Sequence, residues 1–195
     1  MEGEKIDFEN NYNLFQYFSQ VTLKEIQSLN RISIEFNDLK INYRDLNELI
    51  IRISNFIRSK VDENLNETTS RIIGVHLYSD ELTIPILMSI HRLNFAYLPI
   101  DPTMPINVIE HIINDSHPIA IITNLNSNDI KFESLIKNLN IKLIQINSYD
   151  LKKLESNIFE ETEKVFDYDY NSFSNACILY TSGSTGLPKG VCLSH

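Results

Sequence analysis

Apolar residues in this chain change their spacing along its length, and the changes read as a succession of strands and helices. Tyr12 to Gln20 reads as a short helix carrying Phe15 and Phe18. Ile32-Ser33-Ile34-Glu35-Phe36 alternates apolar and polar, as a half-covered strand does. Asn37-Asp38 supplies a turn, and Lys40-Ile41-Asn42-Tyr43 returns as a second strand, so a hairpin is predicted. From Asp45 to Lys60 the period lengthens. Leu46, Leu49, Ile50, Ile53 and Ile57 fall on one face of an amphipathic helix. A polar loop is predicted over 62–70 and an acidic, irregular stretch from Leu151 to Asn175.

Between these two stretches the pattern alternates. Strands are predicted at Arg71–Leu77, Phe95–Ile100, Pro118–Thr123 and Ile141–Ile146, and helices at Leu82–Leu93, Ile106–Asp115 and Phe132–Leu139. Pro85 falls in the first turn of its helix, where proline is tolerated. Cys177 to Tyr180 is a further strand, and Val191-Cys192-Leu193-Ser194-His195 begins another. Strands separated by helices predict an α/β fold, a parallel sheet with helices on its faces. Ligands of such sheets bind beyond the carboxyl ends of the strands.

The loop after Tyr180 stands at such an end. Tyr180-Thr181-Ser182-Gly183-Ser184-Thr185-Gly186-Leu187-Pro188-Lys189-Gly190-Val191 concentrates glycines, hydroxyls and one lysine. Glycine lets a backbone turn sharply and approach an anion, and successive N–H groups can cradle phosphate oxygens. Hydroxyls add donors, and lysine adds a compact positive charge. A Walker A loop needs lysine directly after glycine and a hydroxyl directly after lysine. Here Leu187 and Pro188 separate Gly186 from Lys189, and Gly190 follows, which disfavours a P-loop NTPase.

The string YTSGSTGLPKGV closely resembles the phosphate-binding signature of the adenylate-forming (AMP-binding) superfamily. That superfamily includes acyl-CoA synthetases, luciferases and the adenylation domains of nonribosomal peptide synthetases. Two further segments resemble the amino-acid-activating branch, in family order. They are Ile41-Asn42-Tyr43-Arg44-Asp45-Leu46-Asn47 and Ala96-Tyr97-Leu98-Pro99-Ile100-Asp101-Pro102, the latter followed by Met104-Pro105 and Ile109 to Ser116. The resemblance runs from about residue 30 onward. It implies a helical lead-in over 1–30 and, over 31–195, the N-terminal portion of an adenylation domain. By comparison with the family the sheet is unfinished after the loop. The later nucleotide-gripping segments, hinge and C-terminal lid are absent, so the chain reads as the front of a longer enzyme and as inactive alone, with an apolar sheet edge prone to pairing.

The resemblance implies that a carboxylate attacks the α-phosphate of Mg-ATP, and that a phosphopantetheine or CoA thiol then takes the acyl group. Carried over position by position, Thr181, Ser182, Ser184 and Thr185 offer hydroxyls to the β- and γ-phosphates. Gly183 and Gly186 allow close backbone approach, and Lys189 balances pyrophosphate charge. His195 matches a histidine that follows the loop in many members, near the acyl pocket, and reads equally as a residue with no role. Tyr97 and Asp101 read as shaping the fold. The AYLPIDP and DSHPIAIIT segments favour amino-acid activation, of the kind carried out by β-alanine-activating, aminoadipate-semialdehyde-dehydrogenase-like proteins, with a carrier-protein domain as partner. Leu193-Ser194-His195 also suits an acyl-CoA synthetase, which stays open as the alternative.

Composition narrows the rest. With 26 acidic against 17 basic residues in 195, the net charge of −9 disfavours nucleic acid or an anionic membrane as partner. An anionic ligand then needs a local cation, for which Lys189 is the candidate. No apolar run is long enough to span a bilayer and no signal segment opens the chain, so a cytoplasmic protein is expected. His76, His91, His111 and His117 show no ligand spacing and read as packing or surface residues. Cys177 and Cys192 flank the loop without a CxxC, so no metal site is expected. Both read as small buried apolar residues.

Overall fold

The runs Ile72–His76 and Ala120–Thr123 carry almost no polar residues because both of their faces are covered. In the computed structural model, which describes residues 13–23, 29–61, 71–124, 129–147, 174–182 and 186–195, they are neighbouring central strands of one sheet. In chain order the elements are α1 (Leu14–Leu23), β1 (Ile32–Phe36), β2 (Leu39–Asn42), α2 (Tyr43–Lys60), β3 (Ile72–His76), α3 (Thr83–Arg92) and β4 (Ala96–Pro99). Then come α4 (Ile106–Ser116), β5 (Ala120–Thr123), α5 (Ile130–Asn138), β6 (Lys142–Gln145), β7 (Asn175–Thr181) and β8 (Lys189–Ser194). The predicted loop over 62–70 and most of the acidic stretch lie outside the described residues, as does Tyr12.

The sheet runs β6-β5-β3-β4-β7-β8. Its first five strands are parallel, in register Ile73 with Tyr97 and Ala120, and Tyr97 with Cys177. On one face α2 and α3 bury Ile53, Ile57, Ile86 and Ile90 against Ile73, Val75 and Ile122. On the other, α4 and α5 bury Ile109, Ile112, Ile113, Phe132 and Ile136 against Leu98, Ile121 and Ile178. The two layers are why β3 and β5 read as continuous apolar runs. A Cβ at Gly74 would stand 2.8 Å from Cγ1 of Ile121, so the closeness of β3 to β5 depends on that glycine.

Local chemistry sets the element ends. Asn42 caps α2 through its side chain, accepting from the Asp45 amide at 2.9 Å, so the helix starts two residues before the predicted Asp45. Ser89 of α3 donates to the Ile50 carbonyl of α2 at 3.0 Å and ties the two helices together. The chain leaves α3, α4 and α5 through Asn94, His117 and Asn140, with φ of 58°, 51° and 54°. Asparagine thus takes two of the left-handed exits where glycine is commonest. The predicted hairpin forms as β1 and β2, and its Ile34 and Ile41 pack with Phe15 and Phe18 of α1 and with Ile50.

Two expectations are corrected at the sheet's edge. The last strand does not extend the parallel order: β8 runs antiparallel to β7, with Thr181 opposite Lys189 and Asn175 opposite Ser194. Nothing among the described residues covers β8, so all six of its residues are exposed. Cys192 is therefore exposed, and only Cys177 is buried as expected. Leu179, Val191 and Leu193 share an open apolar face of this ribbon.

Candidate functional site

Asn175–Thr181 is apolar where it must cross the core and polar where it leaves. Ala176, Cys177 and Ile178 are buried, and Thr181 and Ser182 stand exposed at the carboxyl edge of the sheet. Gly183, Ser184 and Thr185, three of the expected phosphate-binding positions, lie outside the described residues. The chain is described again from Gly186, whose φ of 99° is a left-handed conformation that favours glycine. Among the described residues nothing stands within 4 Å of where a Cβ would be, so the backbone angle is what calls for glycine there. Lys189 then pairs across from Thr181. Directly paired residues of an antiparallel ribbon project to the same face, so a hydroxyl and an ammonium stand side by side at the mouth of the loop. Lys189 is exposed, and among the described residues no carboxylate pairs with it.

Both flanks of the loop are tied to α4. The Tyr180 hydroxyl donates to the Asp115 carboxylate, and Nε2 of His111 lies 3.0 Å from the Pro188 carbonyl oxygen. Because that oxygen can only accept, Nε2 carries the proton. Burial and the negative Asp115 raise the Tyr180 phenol well above its ordinary range, so it stays a neutral donor. Its ring lies across from Gly190, where a Cβ would come within 3.1 Å of Cζ. Sequence reading treated His111 as a packing or surface residue and missed this role. The only available signal was that His111 and Asp115 are four apart on a helix whose apolar stripe is Ile109, Ile112 and Ile113.

His195 lies apart from the loop. Because β8 returns antiparallel, His195 sits at the amino end of β7, roughly 20 Å of strand from Lys189. Its Nδ1 accepts from the Leu14 amide at 3.2 Å, and its ring meets His91 edge-on at 4.8 Å. Burial, with the nearby His91, lowers its pKa to about 4. His91 is buried, its Nε2 is 3.0 Å from the Ala176 carbonyl, and its ring packs on Tyr97. The structure thus sets Thr181 opposite Lys189, and gives His195 the company of α1 and α3.

Asp101 behaves as a turn device. Its carboxylate accepts from the amide and hydroxyl of Thr103 at 2.8 and 2.7 Å, which holds its pKa below the usual range. His76, at the carboxyl end of β3, is fully buried, and neither ring nitrogen has a hydrogen-bond partner among the described residues. Its ring stacks on Phe132 at 3.8 Å. No three metal-ligating side chains cluster among the described residues.

A parallel sheet ending in this loop can be compared with known proteins. The family described as AMP-binding enzyme matches residues 25–195. The chain belongs to the AMP-binding enzyme family. A component of the mycosubtilin synthase of Bacillus subtilis is 35% identical over 85% of the chain, which spans 6% of that protein. The beta-alanyl-bioamine nonribosomal peptide synthetase ebony of Drosophila melanogaster is 30% identical over 79% of the chain, which spans 17% of it. The structure of ATP-bound MatB from Rhodopseudomonas palustris shares the fold, with a TM-score of 0.70 and 18% identity. It covers 93% of this chain and 35% of its own. The chain thus spans a small part of the curated relatives it matches and about a third of MatB. As in the wider adenylate-forming group, the fold is an α/β sheet covered by helices. No helix among the described residues is long and apolar enough to cross a membrane.

Proposed function

We propose that the protein activates a carboxylate with ATP, and that the carboxylate belongs to an amino acid. A carboxylate oxygen would attack the α-phosphorus, the bond to the bridging oxygen would break, and pyrophosphate would leave, giving an acyl-adenylate. A phosphopantetheine thiol, on a carrier domain, would then displace AMP from the acyl carbon and form a thioester. The observation that supports this reading most is the pairing of Thr181 with Lys189 at the carboxyl edge of a parallel sheet, in a chain of the AMP-binding family. In-line phosphoryl chemistry needs charge neutralisation on the leaving group more than covalent help. In this reading Lys189 neutralises the pyrophosphate, while Thr181, Ser182, Ser184 and Thr185 donate to its oxygens. Gly183 and Gly186 keep side chains out of its way. ATP and Mg2+ enter together, and the cytoplasm supplies both.

The test is carboxylate-dependent exchange of labelled pyrophosphate into ATP by the full-length protein. Amino acids should support it, and Lys189→Ala should slow it on the order of 100-fold with the fold unchanged, because Lys189 is exposed. A wild-type rate in that variant would remove the role given to Lys189. Exchange driven by fatty or other acids instead would favour the acyl-CoA synthetase reading, to which Leu193-Ser194-His195 also conforms.

A further inference from the structure

Helix α4 holds both ends of the loop with residues one turn apart. His111 and Asp115 are separated by four positions and so lie one above the other on the same helix face. The same helix is fixed to the sheet by buried Ile109, Ile112 and Ile113, which leaves it little freedom to follow the loop. Tyr180, immediately before Thr181, reaches Asp115, and Pro188, immediately before Lys189, reaches His111. Across the ribbon Tyr180 also packs over Gly190, so the two flanks touch each other as well as the helix. The two residues pinned are the immediate predecessors of the facing pair, Thr181 and Lys189.

We propose that His111 and Asp115 are positioning residues, a two-point brace that fixes Thr181 opposite Lys189 before any nucleotide binds. The role in catalysis rests on the functional reading above; the brace itself does not. Neither residue need touch the ligand. A displacement of about 1 Å in a group that meets developing charge can cost on the order of 100-fold in rate, so pinning both flanks in advance is where such a brace acts.

The test is peptide-level hydrogen exchange on the 195-residue chain without nucleotide. His111→Phe keeps a ring but removes the donor, and Tyr180→Phe keeps the ring over Gly190 but removes the hydroxyl. Each should speed exchange in peptides covering 178–182 and 186–191 by about fivefold to tenfold, the worth of one hydrogen bond. Peptides from β3 and β5 should be unchanged. His111→Gln retains an N–H donor and should return exchange to within about twofold of wild type. In pyrophosphate exchange by the protein, His111→Phe should raise the KM for ATP and leave that for the carboxylate unmoved. Unchanged flank exchange in His111→Phe would overturn the brace. Exchange that rises equally in β3 and β5 would overturn it too, by showing a merely destabilised fold. If no carboxylate supports pyrophosphate exchange in the full-length wild type, the functional reading falls, while hydrogen exchange still decides the brace.

Discussion

His76 makes a sharp test of how this core handles charge. The ring is fully buried at the carboxyl end of β3, stacks on Phe132 and offers two nitrogens with no hydrogen-bond partner among the described residues. Burial lowers its pKa from 6.5 to about 4, against the opposing pull of the Asp129 and Asp101 carboxylates. In the unfolded chain the same group titrates at its ordinary value. Above about pH 7 both states are neutral and the group contributes no pH dependence. As pH falls through 6.5 the unfolded state takes up a proton that the folded state refuses, so stability drops until about 4. Linkage between those values gives a loss of about 2 kcal/mol between about pH 7.5 and pH 5. His76→Phe keeps a flat ring against Phe132 and abolishes the titration. Urea unfolding of both proteins at the two pH values isolates the effect, because packing differences cancel in the double difference. Wild type should lose about 2 kcal/mol more than the variant, a midpoint shift of about 1 M at a slope of about 2 kcal/mol/M. Parallel pH dependences in the two proteins would refute the idea that burial holds His76 neutral.

Three more outcomes follow from the packing. Gly74→Ala forces a methyl to within 2.8 Å of Ile121 and should cost about 1–3 kcal/mol in chemical denaturation; an unchanged midpoint would mean that β3 and β5 can separate freely. Asn94 holds a φ of 58° with its side-chain oxygen buried and unpartnered among the described residues. Asn94→Gly should therefore stabilise by about 1 kcal/mol and Asn94→Ala should destabilise by about 1–2 kcal/mol, as thermal unfolding would report. A thiol reagent should label Cys192 rapidly in the native protein and Cys177 only on unfolding, read by mass spectrometry of the labelled peptides.

Much of the fold was legible because its central strands obey a single rule. A strand covered on both faces must be apolar throughout, so Ile72–His76 and Ala120–Thr123 announce themselves, and the helices between them show an apolar stripe. Element ends were harder to read. Asn42 caps α2 from a position that also closes a strand, and Asn94 and Asn140 end helices in a conformation usually signalled by glycine. In a chain with five glycines and many asparagines, the usual punctuation is carried by the wrong letter. The direction of β8 was not legible at all. Whether a strand after a loop runs parallel or antiparallel depends on the length and shape of that loop, and Val191–Ser194 has the same apolar content either way.

That direction decides how the site is assembled. A parallel continuation would require the chain to cross the sheet before pairing, and would carry Lys189 away from Thr181. The antiparallel return instead sets the two across from each other and sends His195 to the far end of the ribbon, against His91 and the start of α1. One feature of topology thus joins two of the motif's residues and separates a third that lies only six positions on. The string of residue types around Gly186 conveyed that a phosphate could be bound, since glycine, hydroxyl and lysine each have a reason to be there. It could not convey the contacts of His111 and Asp115, because these come from a helix some seventy positions earlier and are created only when β4 and β7 pair. The residues proposed to meet a phosphate can be read from a local motif, whereas the contacts made to its flanks from α4 depend on the order of strands in the sheet.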